Sequence, residues 1–93
     1  MPPKPFVTIN PCVPGFTNCL KKLSPEAYEL ARQAMHDLLL PEIPSKYNFK
    51  RGDGNSHEIT FGKNREYKMT MGIQENGVAW LRRVGSHREI DEA

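Results

Sequence analysis

Long apolar runs are absent from this sequence, and none approaches the roughly 18 consecutive apolar residues that a membrane-spanning helix needs. The first residues, MPPKP, also lack the apolar segment of a secretory signal peptide. We therefore expect a cytoplasmic protein that has no contact with a membrane.

Cysteine is scarce, with only Cys12 and Cys19 in the chain. A zinc site would need two further ligands, and the three histidines (His36, His57 and His87) are scattered without the spacing of metal ligands. The two cysteines could form a disulfide, but reduced, packed thiols are the expectation in the cytosol. The sequence therefore predicts neither a metal site nor a cofactor.

Positive charge is concentrated in the second half of the chain. Residues 46–88 carry nine basic groups against four acidic ones, whereas residues 1–45 carry four of each and the last five residues add three acidic groups. A local positive field attracts polyanions such as RNA, although many small domains carry a solvated basic face.

The chain is short enough for one domain, 93 residues with 38% hydrophobic residues. We expect residues 1–4 to be an irregular lead and residues 89–93 an acidic tail. Residues 5–9 favour a first strand, and residues 16–23 a short helix. A longer helix is predicted to start at Ser24, because serine caps free backbone N–H groups and the following proline suits the first helical position. Its apolar face comprises Ala27, Leu30, Ala31, Ala34, Met35 and Leu38.

From Tyr47 onward the apolar residues recur at every second position, which is typical of strands. Two such runs, residues 58–61 and 66–73, flank a turn at residues 62–65. Asn76-Gly77 then favours a type I′ hairpin turn before a last strand over residues 78–84. The predicted fold class is α+β in the order β-α-α-β-β-β, with a helical hairpin packed on a small antiparallel sheet whose other face is open.

Two stretches near the C-terminus carry a recognisable pattern: residues 65–71 are REYKMTM, and residues 80–90 are WLRRVGSHREI. With the element order, they resemble the RelE/ParE superfamily, the toxins of bacterial type II toxin–antitoxin pairs. In these toxins a tyrosine–arginine strand precedes a strand that ends in Gly-Ser-His and acidic residues. The similarity is good over residues 46–90 and looser over residues 6–40, where only the element order and helix lengths match.

The resemblance implies a metal-independent, ribosome-dependent mRNA endonuclease that a cognate antitoxin holds inactive. In such enzymes the 2′-OH attacks the neighbouring phosphate, a base removes its proton, and cations stabilise the developing charge. The implied catalytic residues are Arg83, His87, Lys50 and Arg51. The implied RNA-binding residues are Lys46, Tyr47, Lys68 and Arg82.

Four of these residues have alternative interpretations. His87 could carry a proton or form a structural cap at the strand end. Tyr47 could stack on a base or simply pack. We expect only one of the two neighbouring arginines to face the open side of the sheet. We favour Arg83, because Arg82 falls on the same face of the strand as Val78 and Trp80, which look like core residues.

Two departures from the family pattern favour a different function. Lys68 stands where the family usually has arginine, and Asp91 stands where many members have a tyrosine that helps to move protons. The alternative is therefore a protein without nuclease activity, either a gyrase inhibitor of the ParE type or a degenerate member that only binds its antitoxin.

Overall fold

The protein is described by a computed structural model over residues 4–92, in which residues 89, 91 and 92 are described by their backbone alone. The elements are β1 (Thr8–Asn10), α1 (Pro14–Lys22), α2 (Pro25–Asp37), β2 (Lys50–Arg51), β3 (Ser56–Phe61), β4 (Tyr67–Ile73), β5 (Val78–Ser86) and α3 (His87–Glu92). Single 3-10 turns lie at Ser45–Tyr47 and Lys63–Arg65. The α+β class is confirmed.

The helical hairpin forms largely as the sequence predicts. The Ser24 hydroxyl accepts a hydrogen bond from the Ala27 N–H at 3.2 Å, so the predicted cap of α2 is present. The predicted apolar face is buried at Ala27, Ala31, Ala34 and Leu38. Beyond α2, the Lys4 ammonium donates to the backbone carbonyls of Leu38 and Leu40, each at 2.8 Å. Lys4 thus satisfies carbonyls that the end of a helix leaves free.

The sheet is mixed, which corrects the predicted antiparallel sheet. Its strand order is β1-β5-β4-β3-β2, and β1 pairs with β5 in parallel while the other pairs are antiparallel. A parallel neighbour requires a crossover, and the α1–α2 hairpin is part of the long connection between β1 and the meander. The two-residue strand β2 and the short helix α3 were not predicted.

The loop between β4 and β5 lies where Asn76-Gly77 predicted it, but the turn type is wrong. A type I′ turn needs positive φ at both residues, and here Gly77 has φ of +83° while Asn76 is not among the positive-φ residues of the described chain. The Gly77 N–H donates to the Gln74 carbonyl at 3.0 Å, and the Gln74 N–H donates to Val78 at 2.9 Å. The strands are therefore joined by a four-residue loop that ends in a left-handed glycine.

A bulge in β5 overturns the predicted alternation. Ala79 and Leu81 are fully buried, whereas Trp80 is 43% exposed, so the assignment of Val78 and Trp80 to the core is wrong. The register of β5 against β4 then shifts by one residue: Met71 pairs with Leu81, but its neighbour Thr70 pairs with Arg83. Arg82 is the extra residue, and burial resumes at Val84. Arg82 and Arg83 are therefore both exposed, whereas regular alternation would expose only one of them.

The core lies between the helical hairpin and one face of the sheet. It is formed by Phe6, Phe16, Ala31, Ala34, Leu38, Tyr47, Ile59, Phe61, Met69, Met71, Ala79, Leu81 and Val84. Within the described chain, none of the helices combines the length and the apolar composition that crossing a membrane requires. The predicted irregular lead lies outside the described residues apart from Lys4. The predicted acidic tail falls on α3, and its acidic side chains lie outside the description.

Candidate nucleic-acid interface

The side of the sheet opposite the core is the candidate site. Side chains alternate between the two faces of a strand, so the neighbours of the buried Ile59, Met69, Met71, Ala79 and Leu81 project away from the helices. We call this side the open face, formed by Ser56, Glu58, Lys68, Thr70, Gly72, Trp80, Arg82 and Arg83. Lys50 pairs with Glu58 and extends the open face onto β2.

Arg82 lies across the middle of the open face, and a glycine makes room for it. A Cβ atom added to Gly72 would overlap the Arg82 guanidinium, so only glycine lets this group lie so close to the β4 backbone. Arg82 donates to the Ser56 hydroxyl at 3.3 Å and to the Asn55 side-chain carbonyl at 3.5 Å. These bonds hold a cation over Gly72, the strand partner of the exposed Trp80.

Arg83 and Lys50 lie in one row of paired residues. Lys50 pairs with Glu58, Glu58 with Thr70, and Thr70 with Arg83. Both Lys50 and Arg83 are exposed, and within the described residues neither forms an ion pair. Arg51 is also exposed, but it pairs with His57 and alternation turns it to the other side of β2. The structure therefore groups Lys50, Arg82 and Arg83 and separates Arg51 from them.

Lys68 is not an accessible cation, contrary to its predicted RNA-binding role. Its side chain is 11% exposed, and its ammonium lies 3.2 Å from the Glu58 carboxylate, whose side chain is 29% exposed. A buried cation needs such a counter-charge, because removal from water disfavours an isolated ion. Lys68 and Glu58 thus contribute little net charge to the open face.

Tyr47 is buried, which fits packing, the second of its two predicted alternatives, and not stacking on a base. It is 4% exposed, and its hydroxyl donates to the Asp37 carboxylate at the end of α2. Burial, followed by this bond to Asp37, raises the pKa of Tyr47 well above its ordinary value. Gln33 also donates to Asp37, at 3.0 Å. Despite its desolvation, the pKa of Asp37 lies below its ordinary value, chiefly because of the hydrogen bond from Tyr47.

Lys46 is exposed but belongs to the same polar cluster as Tyr47. Its ammonium lies 3.9 Å from Asp37 and 5.2 Å from the centre of the Tyr47 ring. Because the pair with Asp37 is long and the lysine side chain is 68% exposed, Lys46 remains able to turn toward a ligand.

His87 opens α3, directly after β5. Its backbone N–H donates to the Glu66 carbonyl at 3.1 Å, and its side chain is partly buried. The imidazole Nε2 is buried, so the structural and the catalytic interpretation of His87 both remain predictions. The side chain of Asp91 lies outside the described residues.

Sequence reasoning missed Trp80 and Gly72 as parts of this surface. Both were hidden by the bulge, because regular alternation along β5 gives no reason to place a tryptophan outside the core. The unexplained signal was Gly72 between the apolar Met71 and Ile73 of β4, since a glycine inside a strand often marks a close approach of another group.

Comparison with known proteins adds no assignment, because no protein-family model, no curated protein and no solved structure matches the chain. Among the side chains that the structure describes, no group of three or more histidine, cysteine, aspartate or glutamate residues is placed to hold a metal ion.

Proposed function

We propose that this chain is the toxin of a type II toxin–antitoxin pair of the RelE/ParE kind, and that it cleaves mRNA on the ribosome. The observation that carries the proposal is the open face, which presents the exposed Trp80 together with three exposed cations, Lys50, Arg82 and Arg83. Single-stranded nucleic acid binds to such surfaces by stacking bases on aromatic rings and placing phosphates on cations. The element order supports the family assignment, once the short β2 and α3 are set aside.

The proposed reaction needs a proton carrier and cations; we assign the first role to His87, directly after β5, and the second to the arginines of the open face. The 2′-OH attacks the adjacent phosphorus while His87 accepts its proton, and the bond from phosphorus to the 5′ oxygen of the next nucleotide breaks as that oxygen takes a proton from water. The products are a 2′,3′-cyclic phosphate and a free 5′-OH. Arg82 and Arg83 can stabilise the negative charge that builds on the phosphoryl oxygens, since arginine can bind phosphate through two hydrogen bonds.

A second candidate function is antitoxin binding or gyrase inhibition without nuclease activity. Two observations favour it: the Lys68 ammonium is buried against Glu58, and Tyr47 is buried against Asp37. Two of the eight site residues that the resemblance implied are therefore buried and bonded to other side chains of the protein. The sequence adds Asp91 at the position where cleaving relatives have a tyrosine.

Mapping mRNA ends in a translating extract separates the two candidates. We expect the intact chain to produce new 5′-OH ends within translated codons, and Arg82→Ala to reduce their rate about 10²–10³-fold, the usual effect of removing one positioned donor. Arg65→Ala is the matched control, because Arg65 is exposed in the turn between β3 and β4. If the intact chain yields no new ends, the nuclease proposal fails and the binding function stands.

A further inference from the structure

A groove beside the open face carries a second group of cations. It lies between α1, the end of β5 and α3, and it encloses about 310 Å³. From α1 it is lined by Asn18, Cys19 and Lys22, from β5 by Arg83, and from α3 by Ile90. None of these residues except Arg83 took part in the sequence-based site.

Lys22 and Arg83 place two cations at this groove. Both are exposed, and neither forms an ion pair within the described part of the chain. The Asn18 side chain adds a neutral hydrogen-bond donor at the wall. Two cations with a neutral donor favour an anion, and the planar fork of arginine matches phosphate in particular.

The groove is continuous with the open face through Arg83. Arg83 lines the groove and also pairs with Thr70 on β4. Thr70 pairs with Glu58, and Glu58 pairs with Lys50 on β2, so this row of paired residues crosses the open face. A polyanion that lies on the open face and crosses the edge of β5 therefore meets Lys22 next. A chain of phosphates is the ligand that makes use of both groups of cations.

We infer that the groove binds a phosphate of the RNA backbone outside the cleaved bond, held by Arg83 and Lys22. The inference rests on the proposed function, because it takes RNA as the polyanion. It assigns Lys22 and α1 to substrate binding, which the resemblance did not imply.

The salt dependence of binding tests the groove independently of cleavage. Each phosphate contact to a single strand contributes about 0.7 to the slope of log K against log salt concentration. For a short 2′-O-methyl oligoribonucleotide, which cannot be cleaved, we expect Lys22→Gln to lower the slope by about this amount. Lys21→Gln is the control, because Lys21 is exposed on the same helix turn but does not line the groove. We expect its slope to equal that of the unmutated chain.

The two cysteines offer a second readout without mutation. Both are free thiols, and Cys19 lines the groove whereas Cys12 is exposed before α1. The same oligonucleotide should slow alkylation of Cys19 by iodoacetamide and leave Cys12 unchanged, as measured by peptide mass spectrometry. Inorganic phosphate at matched ionic strength should protect Cys19 far less, since it lacks the contacts on the open face.

The outcomes for the groove and for the nuclease are distinguishable. Equal salt slopes for Lys22→Gln and Lys21→Gln, unprotected Cys19, or no binding of the oligonucleotide would each overturn the groove. If Lys22→Gln lowers the salt slope and the oligonucleotide protects Cys19, but no mRNA is cleaved, the nuclease proposal fails and the groove stands. Cleavage without protection of Cys19 would keep the proposed function and remove α1 from the binding surface.

Discussion

Asp37 is a buried carboxylate whose hydrogen bonds join the end of α2 to the 3-10 turn at Ser45–Tyr47. Because hydrogen bonds from Tyr47 and Gln33 stabilise the charged form, the folded pKa lies below the ordinary value of 3.8. A depressed carboxyl pKa contributes stability that is present above the ordinary pKa and is lost as the pH falls through the folded value. The acid limb of the stability curve should therefore depend on Asp37.

Tyr47→Phe tests this cluster. We expect the free energy of unfolding near neutral pH to fall by about 1–3 kcal/mol, because the Asp37 carboxylate loses its main donor inside the protein. The raised pKa of Tyr47 means that its contribution is present below pH 10.0 and is lost as the pH rises through the folded value. Urea denaturation should show an alkaline loss of stability in the unmutated chain that is weaker in Tyr47→Phe.

Tyr28→Phe is the control, since Tyr28 is 41% exposed on the same helix as Asp37. Parallel alkaline limbs for all three proteins would contradict this account.

Gly72→Ala separates binding from folding on the open face. The added Cβ would overlap the Arg82 guanidinium, which is the flexible end of a side chain and can move away. Stability should change by less than about 1 kcal/mol, since alanine costs less backbone entropy than glycine. Binding of the uncleavable oligonucleotide should weaken nearly as much as in Arg82→Ala. Unchanged binding would show that the position of Arg82 over Gly72 has no functional role.

At the level of whole elements, the bulge in β5 decides which residues reach the open face. Deleting Arg82 and deleting Arg83 give the same sequence, in which one arginine lies between Leu81 and Val84. Regular alternation then keeps Leu81 and Val84 in the core, so we expect a folded protein that loses about 2 kcal/mol or less. Deleting Trp80 is the control, because it turns Leu81 outward and Arg82 into the core.

Circular dichroism during thermal unfolding compares the two deletions. The Trp80 deletion should cost more than about 3 kcal/mol, since it exposes a core leucine and buries a charge. Comparable melting of both proteins would mean that the register of β5 is not fixed by its buried side chains.

The sequence was informative where a local signal determines an element. Ser24-Pro25 marked the start of α2, and the alternation of Tyr67, Met69 and Met71 marked β4, since capping and burial depend on neighbouring residues. The parallel pairing of β1 with β5 and the bulge at Arg82 depend on contacts between distant parts of the chain. The candidate site was therefore predicted by residue type but not by orientation, and Trp80 was missed for that reason.

At the scale of the whole molecule, exposed apolar side chains remain outside the open face. Val7 is 76% exposed and Leu39 is 50% exposed, so the proposed antitoxin segment has apolar side chains to contact other than the cations of the open face. Coexpression with the product of the adjacent gene should give a complex that survives size-exclusion chromatography and should relieve growth arrest. A chain that is harmless alone and binds no neighbour would remove the main support for the toxin proposal.

The parallel pairing of the first and last strands has a consequence for biosynthesis. Thr8 pairs with Val78, so β1 leaves the ribosome long before its partner strand exists. Contacts between such distant residues form late and slowly, because a long loop must close before they add stability. The two helices can form early, but the sheet assembles on β5 only after residues 78–86 have been synthesised. The surface that carries Trp80, Arg82 and Arg83 therefore forms only after β5 has left the ribosome.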